Sequence, residues 1–158
     1  MPKDPIDKII ENEGGYSNDP ADAGGRTNYG ISERSNPGAW ADGKVTEAEA
    51  REIYERKYLI STGIIKIQDP YLQVQMLDFC VNSGPGPAIT KLQAILGVDV
   101  DGVIGPQTLA AVAALDPAYI NNQLVAARVR MIGKIVSKNV SQVKWINGWL
   151  DRALQFLV

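Results

Sequence analysis

The sequence predicts a mostly α protein of two helical lobes, with a small irregular β-hairpin or loop at the cleft between them. Three observations predict it. Asp-Pro pairs stand at Asp4-Pro5, Asp69-Pro70 and Asp116-Pro117, each an N-cap followed by a proline already shaped for the first helical turn. After each pair, apolar residues recur at the three- and four-residue spacing of a helix face. Glycines at 14–15, 84 and 97 then close the periodic stretches.

Taken in order, the first helix carries Ile6, Ile9 and Ile10 on one stripe, and Glu13 falls at the next position of that stripe. Residues 13–31 are rich in Gly, Asn and Asp and read as a tight turn or an irregular hairpin. A plain connection needs only a few residues, so a segment this long suggests a site. Thr46-Glu47-Ala48-Glu49 is a capping box that opens a helix reaching about Tyr58. Asp69-Pro70 opens another, with Val74, Leu77 and Val81 on one face. Pro87 is read as the start of the next, carrying Ala88, Leu92 and Ile95 up to Gly97. Residues 99–106 form a compact turn before a helix with Leu109 and Val112. Asp116-Pro117 opens a long helix whose stripe is Ile120, Leu124, Ala127, Met131 and Ile135. The last helix, from about Ser141, shows Trp145, Trp149, Ala153 and Phe156. The lobe boundary is read at Gly84–Pro87, giving segments 1–86 and 87–158. Each side's apolar face looks incomplete alone, so one cooperative unit is expected, with the cleft roofed by residues 13–31.

Composition narrows the chemistry. The 158 residues are 45% hydrophobic, enough to bury a core and to set disorder aside. The absence of histidine removes Ser-His-Asp and Cys-His catalysis and most zinc hydrolase sites. The single cysteine, Cys80, lies in an apolar run. It reads as a buried thiol rather than a nucleophile, and one cysteine forms no intrachain disulfide, which fits a reducing compartment. No metal and no cofactor are expected. No run is apolar enough to span a membrane, and the N-terminus lacks a signal-peptide apolar region. Cytoplasmic synthesis followed by release to the cell wall is the expectation.

Hydrolases built without His, Cys or metal are mostly carboxylate acid-base enzymes. Glu13 sits on an apolar stripe in the last turn of a helix, where desolvation and the helix dipole should favour the protonated form that a general acid needs. The alternative is that Glu13 turns to solvent and merely ends its helix. Asp19, Asp22 and the hydroxyl of Thr27 follow in the loop, and carboxylates paired across a cleft are the machinery of glycoside hydrolysis.

Charge is uneven although the net charge is only −2. From residue 117 onward Arg128, Arg130, Lys134, Lys138, Lys144 and Arg152 face Asp151 alone. These basic helices could rest on an anionic wall or on lipid headgroups, or they are simply a solvated face. A nucleic-acid partner is disfavoured by the acidic total.

Several blocks carry a family resemblance. Glu13-Gly14-Gly15-Tyr16, Asp19-Pro20-Ala21-Asp22, Gly24-Gly25-Arg26-Thr27 and Tyr29-Gly30-Ile31 resemble the N-terminal signature of the glycoside hydrolase 108 family. These are lysozyme-like N-acetylmuramidases of phage endolysins and bacterial secretion systems. Residues 78–85 resemble the end of that family's central helix. Leu92-Gln93, Leu96-Gly97-Val98 and the 101–109 block resemble the predicted peptidoglycan-binding segment that follows. The resemblance implies a lysozyme-like fold and a monomer that cuts the β-1,4 bond between N-acetylmuramic acid and N-acetylglucosamine. Glu13 matches the family's acid. Asp22 would stabilise charge on the sugar or activate a water, with Asp19 as its alternative, and Thr27 would hold that water. The Glu, Asp, Thr spacing is similar to that of phage-type lysozymes, with one residue fewer before the Thr. If Asp22 and Thr27 position a water, the reaction inverts at the anomeric carbon. Tyr16 and Tyr29 would stack on sugars or pack. Arg26 would pair with Glu13 or Asp22, or meet a peptide-stem carboxylate. Asn82 would bind an N-acetyl group or cap its helix. In a phage setting the resemblance implies a holin as release partner. A lytic transglycosylase and a non-catalytic wall-binding protein are the alternatives.

Overall fold

The computed structural model describes residues 4–20 and 24–158. Asp22 therefore lies outside the described residues. Seven α-helices and one small hairpin are described. Helix α1 spans Pro5–Glu13, capped by the Asp4 carboxylate on the Ile6 amide. Strands β1 (Thr27–Asn28) and β2 (Ile31–Ser32) pair antiparallel, Thr27 opposite Ser32 and Asn28 opposite Ile31. The two residues left at the turn, Tyr29 and Gly30, both have positive φ, 49° and 77°, the signature of a type I′ hairpin. Helix α2 (Glu47–Tyr54) opens on the full Thr46/Glu49 capping box. It passes into a wider π-helical turn over Glu55–Ile60, which carries the helix past the expected end at Tyr58. Helix α3 spans Pro70–Ser83, α4 Pro85–Leu96, α5 Pro106–Ala114, α6 Pro117–Lys138 and α7 Ile146–Leu154.

Helix α3 is the central element. Leu72 and every residue from Val74 to Cys80 are buried, as expected for a helix covered on all sides. It packs on α1, α4 and α6. One apolar cluster draws Ile6, Ile9, Ile31, Trp40 and Tyr54 from the first half of the chain. The same cluster takes Ala88, Leu92, Ile104, Val112, Ile120 and Leu124 from the second half. A smaller cluster of Val74, Val125 and Phe156 ties the C-terminus to α3.

Three sequence expectations are corrected. Helix α4 begins at Pro85, not Pro87, because a proline suits the first helical position and Gly84, at φ 88° and ψ 152°, makes the whole break by itself. The buried stripe of α6 runs through Ile120, Asn121, Leu124, Val125, Arg128 and Ile132, so it is rotated from the one read off the sequence, and Ile135 is exposed. The C-terminal segment starts as a 3-10 turn over Val140–Trp145 and becomes α-helical only at Ile146. Trp145, assigned to the inner face, is more than half exposed.

Candidate active site

Glu13 is the last residue of α1, and Gly14 ends the helix with φ 71°. The apolar stripe does bring its carboxyl inward: Ile6 and Ile9 are buried and Glu13 is only about 20% exposed. The seat is not purely apolar, however. Arg152, on α7, donates from Nη2 to Glu13 Oε1 at 2.5 Å. The two residues are 139 apart in sequence, so no local pattern could have paired them.

The hairpin closes the other side of the Glu13 carboxyl. A Cβ placed on Gly30 would lie 2.9 Å from both Cγ and Oε2 of Glu13, and closer still to the Tyr54 hydroxyl. Only glycine fits that contact, and its positive φ disfavours side chains independently. The Tyr54 hydroxyl donates to the Tyr29 carbonyl at 2.7 Å and so ties the turn to α2. Burial raises the Tyr54 phenol above its ordinary range, and the nearby Glu13 charge adds to the effect. Tyr58 is raised for the same two reasons, burial first. Glu13 is thus bounded by neutral phenols on one side and a guanidinium on the other.

Arg152 is itself held. Its Nε donates to Asp78 Oδ1 at 3.0 Å, and Arg128 Nη2 donates to Asp78 Oδ2 at 2.7 Å. Asn12, one residue before Glu13, donates from Nδ2 to Asp78 Oδ1 at 2.9 Å. Asp78 is completely buried and Arg128 is 2% exposed. Burial works to lower the Arg152 guanidinium, but Asp78 and Glu13 outweigh it and hold it above its usual value. For Arg128 burial wins over Asp78 and the net direction is down. Arg128 also lies over the rings of Phe79 and Phe156, at 5.0 and 5.5 Å from their centres. Glu13, Arg152, Asp78 and Arg128 form one connected chain of contacts, with only the Glu13–Arg152 end reaching solvent.

Beside that end lies a cavity of about 440 Å³ lined by Asn12, Asn82, Gly148, Trp149, Asp151, Arg152 and Gln155. It offers side-chain amides and an indole face, the groups that suit an amino sugar. Asn82 is among the lining residues, and among the described residues its side chain makes one long hydrogen bond, to Ser83 at 3.5 Å.

The other sequence candidates divide. The Thr27 backbone is bridged to Ser17 on one side and paired with Ser32 on the other, and its hydroxyl makes one long contact, 3.5 Å to the Gly25 carbonyl. Tyr16 is 61% exposed beside Trp40. Tyr29 is half-buried against the main cluster, so packing accounts for it. Asp19 stands on an exposed stretch. Arg26 does not pair with Glu13, and Asp22, the other carboxylate expected for it, lies outside the described residues. Arg26 donates from Nε and Nη2 to both oxygens of Glu33 at 2.9 and 2.7 Å, donates to the Gly43 carbonyl, and lies over Trp40. Arg26 and Glu33 are cross-strand neighbours in the hairpin, where opposite charges attract. The hydrogen bond from Arg26 holds Glu33 below the usual carboxylate range.

The sequence reading missed Asp78, Arg128 and Arg152 as site residues. A signal existed. Asp78 interrupts the apolar run of α3 as Glu13 interrupts that of α1, and a buried charge demands an opposite one.

Residues 6–84 match the Glycosyl hydrolase 108 family, and residues 87–154 match the Predicted Peptidoglycan domain family. Among solved structures, the chain is similar to that of SagA from Brucella abortus. The two are 33% identical over 96% of this chain and 92% of that one, with a TM-score of 0.68. No curated protein matches the chain. The fold and these matches define a lysozyme-like glycoside hydrolase whose substrate is peptidoglycan. The chain belongs to the glycosyl hydrolase 108 family.

Proposed function

We propose that this hydrolase is an N-acetylmuramidase, cutting the β-1,4 bond between N-acetylmuramic acid and N-acetylglucosamine, with Glu13 as its acid. One observation carries the reading: Glu13 is held at a helix end between Gly30 and Arg152, beside a cavity lined with amides and an indole. Arg152 occupies Oε1, while Oε2 accepts no hydrogen bond among the described residues. A proton on Oε2 leaves the Arg152 contact intact and is free to pass to the glycosidic oxygen as its bond to the anomeric carbon breaks. The positive charge left on the sugar is stabilised by Asp22, or a water is directed at it by Asp22 and Thr27. Residues 1–86 and 87–158 act as one cooperative unit in this reading, because the group that holds the acid comes from the second segment.

The test is mass spectrometry of digested sacculi. The muramidase reading expects reducing muramic acid ends. Anhydro ends would make the enzyme a lytic transglycosylase, and no products would make it a wall-binding protein. Glu13→Gln should fold and still bind sacculi, yet lose hydrolysis by roughly 10²–10⁴-fold. More than about a tenth of wild-type activity in that variant would place the acid elsewhere. The setting we propose is phage lysis, with a holin as release partner, on the strength of the family resemblance. Lysis from within cells only when a holin is co-expressed is the expected result, and lysis without one would count against it.

A further inference from the structure

We propose that a second site, the groove between α4 and α6, binds the carboxylate-bearing stem peptides of peptidoglycan. The groove has a volume of about 330 Å³ and is lined by Lys91, Ala94 and Ile95 of α4 and by Ala127, Arg130, Met131 and Lys134 of α6. Lys91 lies three and four residues before Ala94 and Ile95, and Arg130 stands one turn from Lys134, so each set shares one helix face. The floor is apolar and the rim is cationic on both walls. None of the three cations forms an ion pair with any described residue. Neither helix contains an Asp or a Glu. Like charges one turn apart repel, and no described residue pairs with them to offset it. A concave site with unpaired cations around small apolar side chains suits an anionic peptide with small aliphatic groups. Stem peptides, which alternate alanine methyls with free carboxylates, have that composition.

The shape argues against a bilayer. Ile95 and Met131 are partly buried at the bottom of the groove, whereas a membrane-surface helix must project its apolar residues outward. The site is also separate from the acid. Arg128 points inward to Asp78, and Arg130, two residues on, lies about 200° further round the helix at 3.6 residues per turn. The groove can therefore hold a neighbouring stem while the glycan occupies the cleft. This inference rests on peptidoglycan being the substrate, but not on which glycosidic bond is cut.

The test is the triple variant Lys91→Gln/Arg130→Gln/Lys134→Gln. Gln keeps helix propensity, and the positions lie outside the core, so an unchanged Tm is expected and verifies folding. On intact sacculi the variant should show KM raised about fivefold or more with kcat unchanged. On glycan strands stripped of peptides by an amidase, variant and wild type should be equal. The Lys91→Arg/Lys134→Arg variant should behave as wild type on both. Equal KM for variant and wild type on sacculi would overturn the proposal, as would an equal rise on stripped glycan. Loss of sedimentation with phosphatidylcholine–phosphatidylglycerol vesicles, with KM unchanged, would make the groove a membrane contact and also overturn it. If the wild type cut neither substrate, the hydrolase reading would fail while the groove was still tested by titration of an alanyl-glutamyl-diaminopimelate tripeptide. Amide shifts confined to α4 and α6 support the site; their absence refutes it.

Discussion

Asp78→Asn is the substitution that most directly tests the buried cluster. The aspartate accepts from Arg128 on one oxygen and from Arg152 and Asn12 on the other. Asparagine keeps the shape but must turn its NH2 group toward one of those donors. It also leaves Arg128, 2% exposed and with Nη1 already lacking a partner, as a buried cation without a counter-charge. Breaking a buried pair from one side costs about 3–5 kcal/mol. For a chain of this size about 1 kcal/mol moves Tm by about 2–4 °C, so the expected drop is roughly 6–20 °C. Differential scanning calorimetry at neutral pH measures it. The double variant Asp78→Asn/Arg128→Met removes the orphaned cation and should recover at least about half of the loss, because replacing both charges is far cheaper than removing one. A cost below about 1 kcal/mol for Asp78→Asn, or a double variant as unstable as the two singles added together, would refute the argument. Hydrolysis should fall as well, since Arg152 loses the contact that aims it at Glu13.

Gly30→Ala should cut hydrolysis of sacculi by at least about tenfold, because its Cβ would displace Glu13 and the Tyr54 hydroxyl and a misplacement of about 1 Å costs on the order of 10²-fold; activity above half of wild type would mean the hairpin does not position the acid. Burial pushes the Cys80 thiol up to about 12, so it stays protonated at neutral pH, and alkylation under native conditions should leave activity unchanged, as should excess chelator; inactivation by either reagent contradicts the carboxylate mechanism. A fragment of residues 87–158 should show little cooperative unfolding by circular dichroism, since Ala88, Leu92, Ile120 and Leu124 pack in a cluster shared with the first half; a sharp thermal transition in that fragment would make it an independent domain.

Much of this fold was legible because its helices announce themselves locally. All three Asp-Pro starts and the Thr46 capping box form as read, each cap's side-chain oxygen accepting from an amide of the first turn. The failures have physical causes. The α6 stripe was read from apolar residues alone, so Arg128 was assigned to the surface, although its charge is matched by an aspartate fifty residues away. Of the partners read for Arg26, Glu13 is not one it meets, because Glu33 stands across the hairpin in a register that depends on the Tyr29-Gly30 turn. Glu13 itself was legible, as a carboxylate on an apolar stripe. What stands against it was not, because α7 reaches it only after the rest of the chain has folded back.

The buried cluster also explains how the Glu13 carboxyl can be fixed at the end of so short a helix. Helix α1 has nine residues, and isolated helices that short are marginal in water, so propensity alone would not fix a side chain at its final turn. Three contacts do so instead. Gly30 closes one side, Arg152 grips one oxygen, and Asn12 anchors the preceding residue to Asp78. Two of these lead to the same aspartate, which α3 carries at the centre of the molecule. Fraying of α1 would have to break a charged contact in a water-poor setting, where such contacts are stronger than at the surface. A surface salt bridge could not serve, since exposed pairs contribute little and salt screens them. The placement of the Glu13 carboxyl therefore depends less on α1 than on two arginines from the second half of the chain. Substitutions at Arg128 or Arg152 should act on catalysis although neither donates the proton.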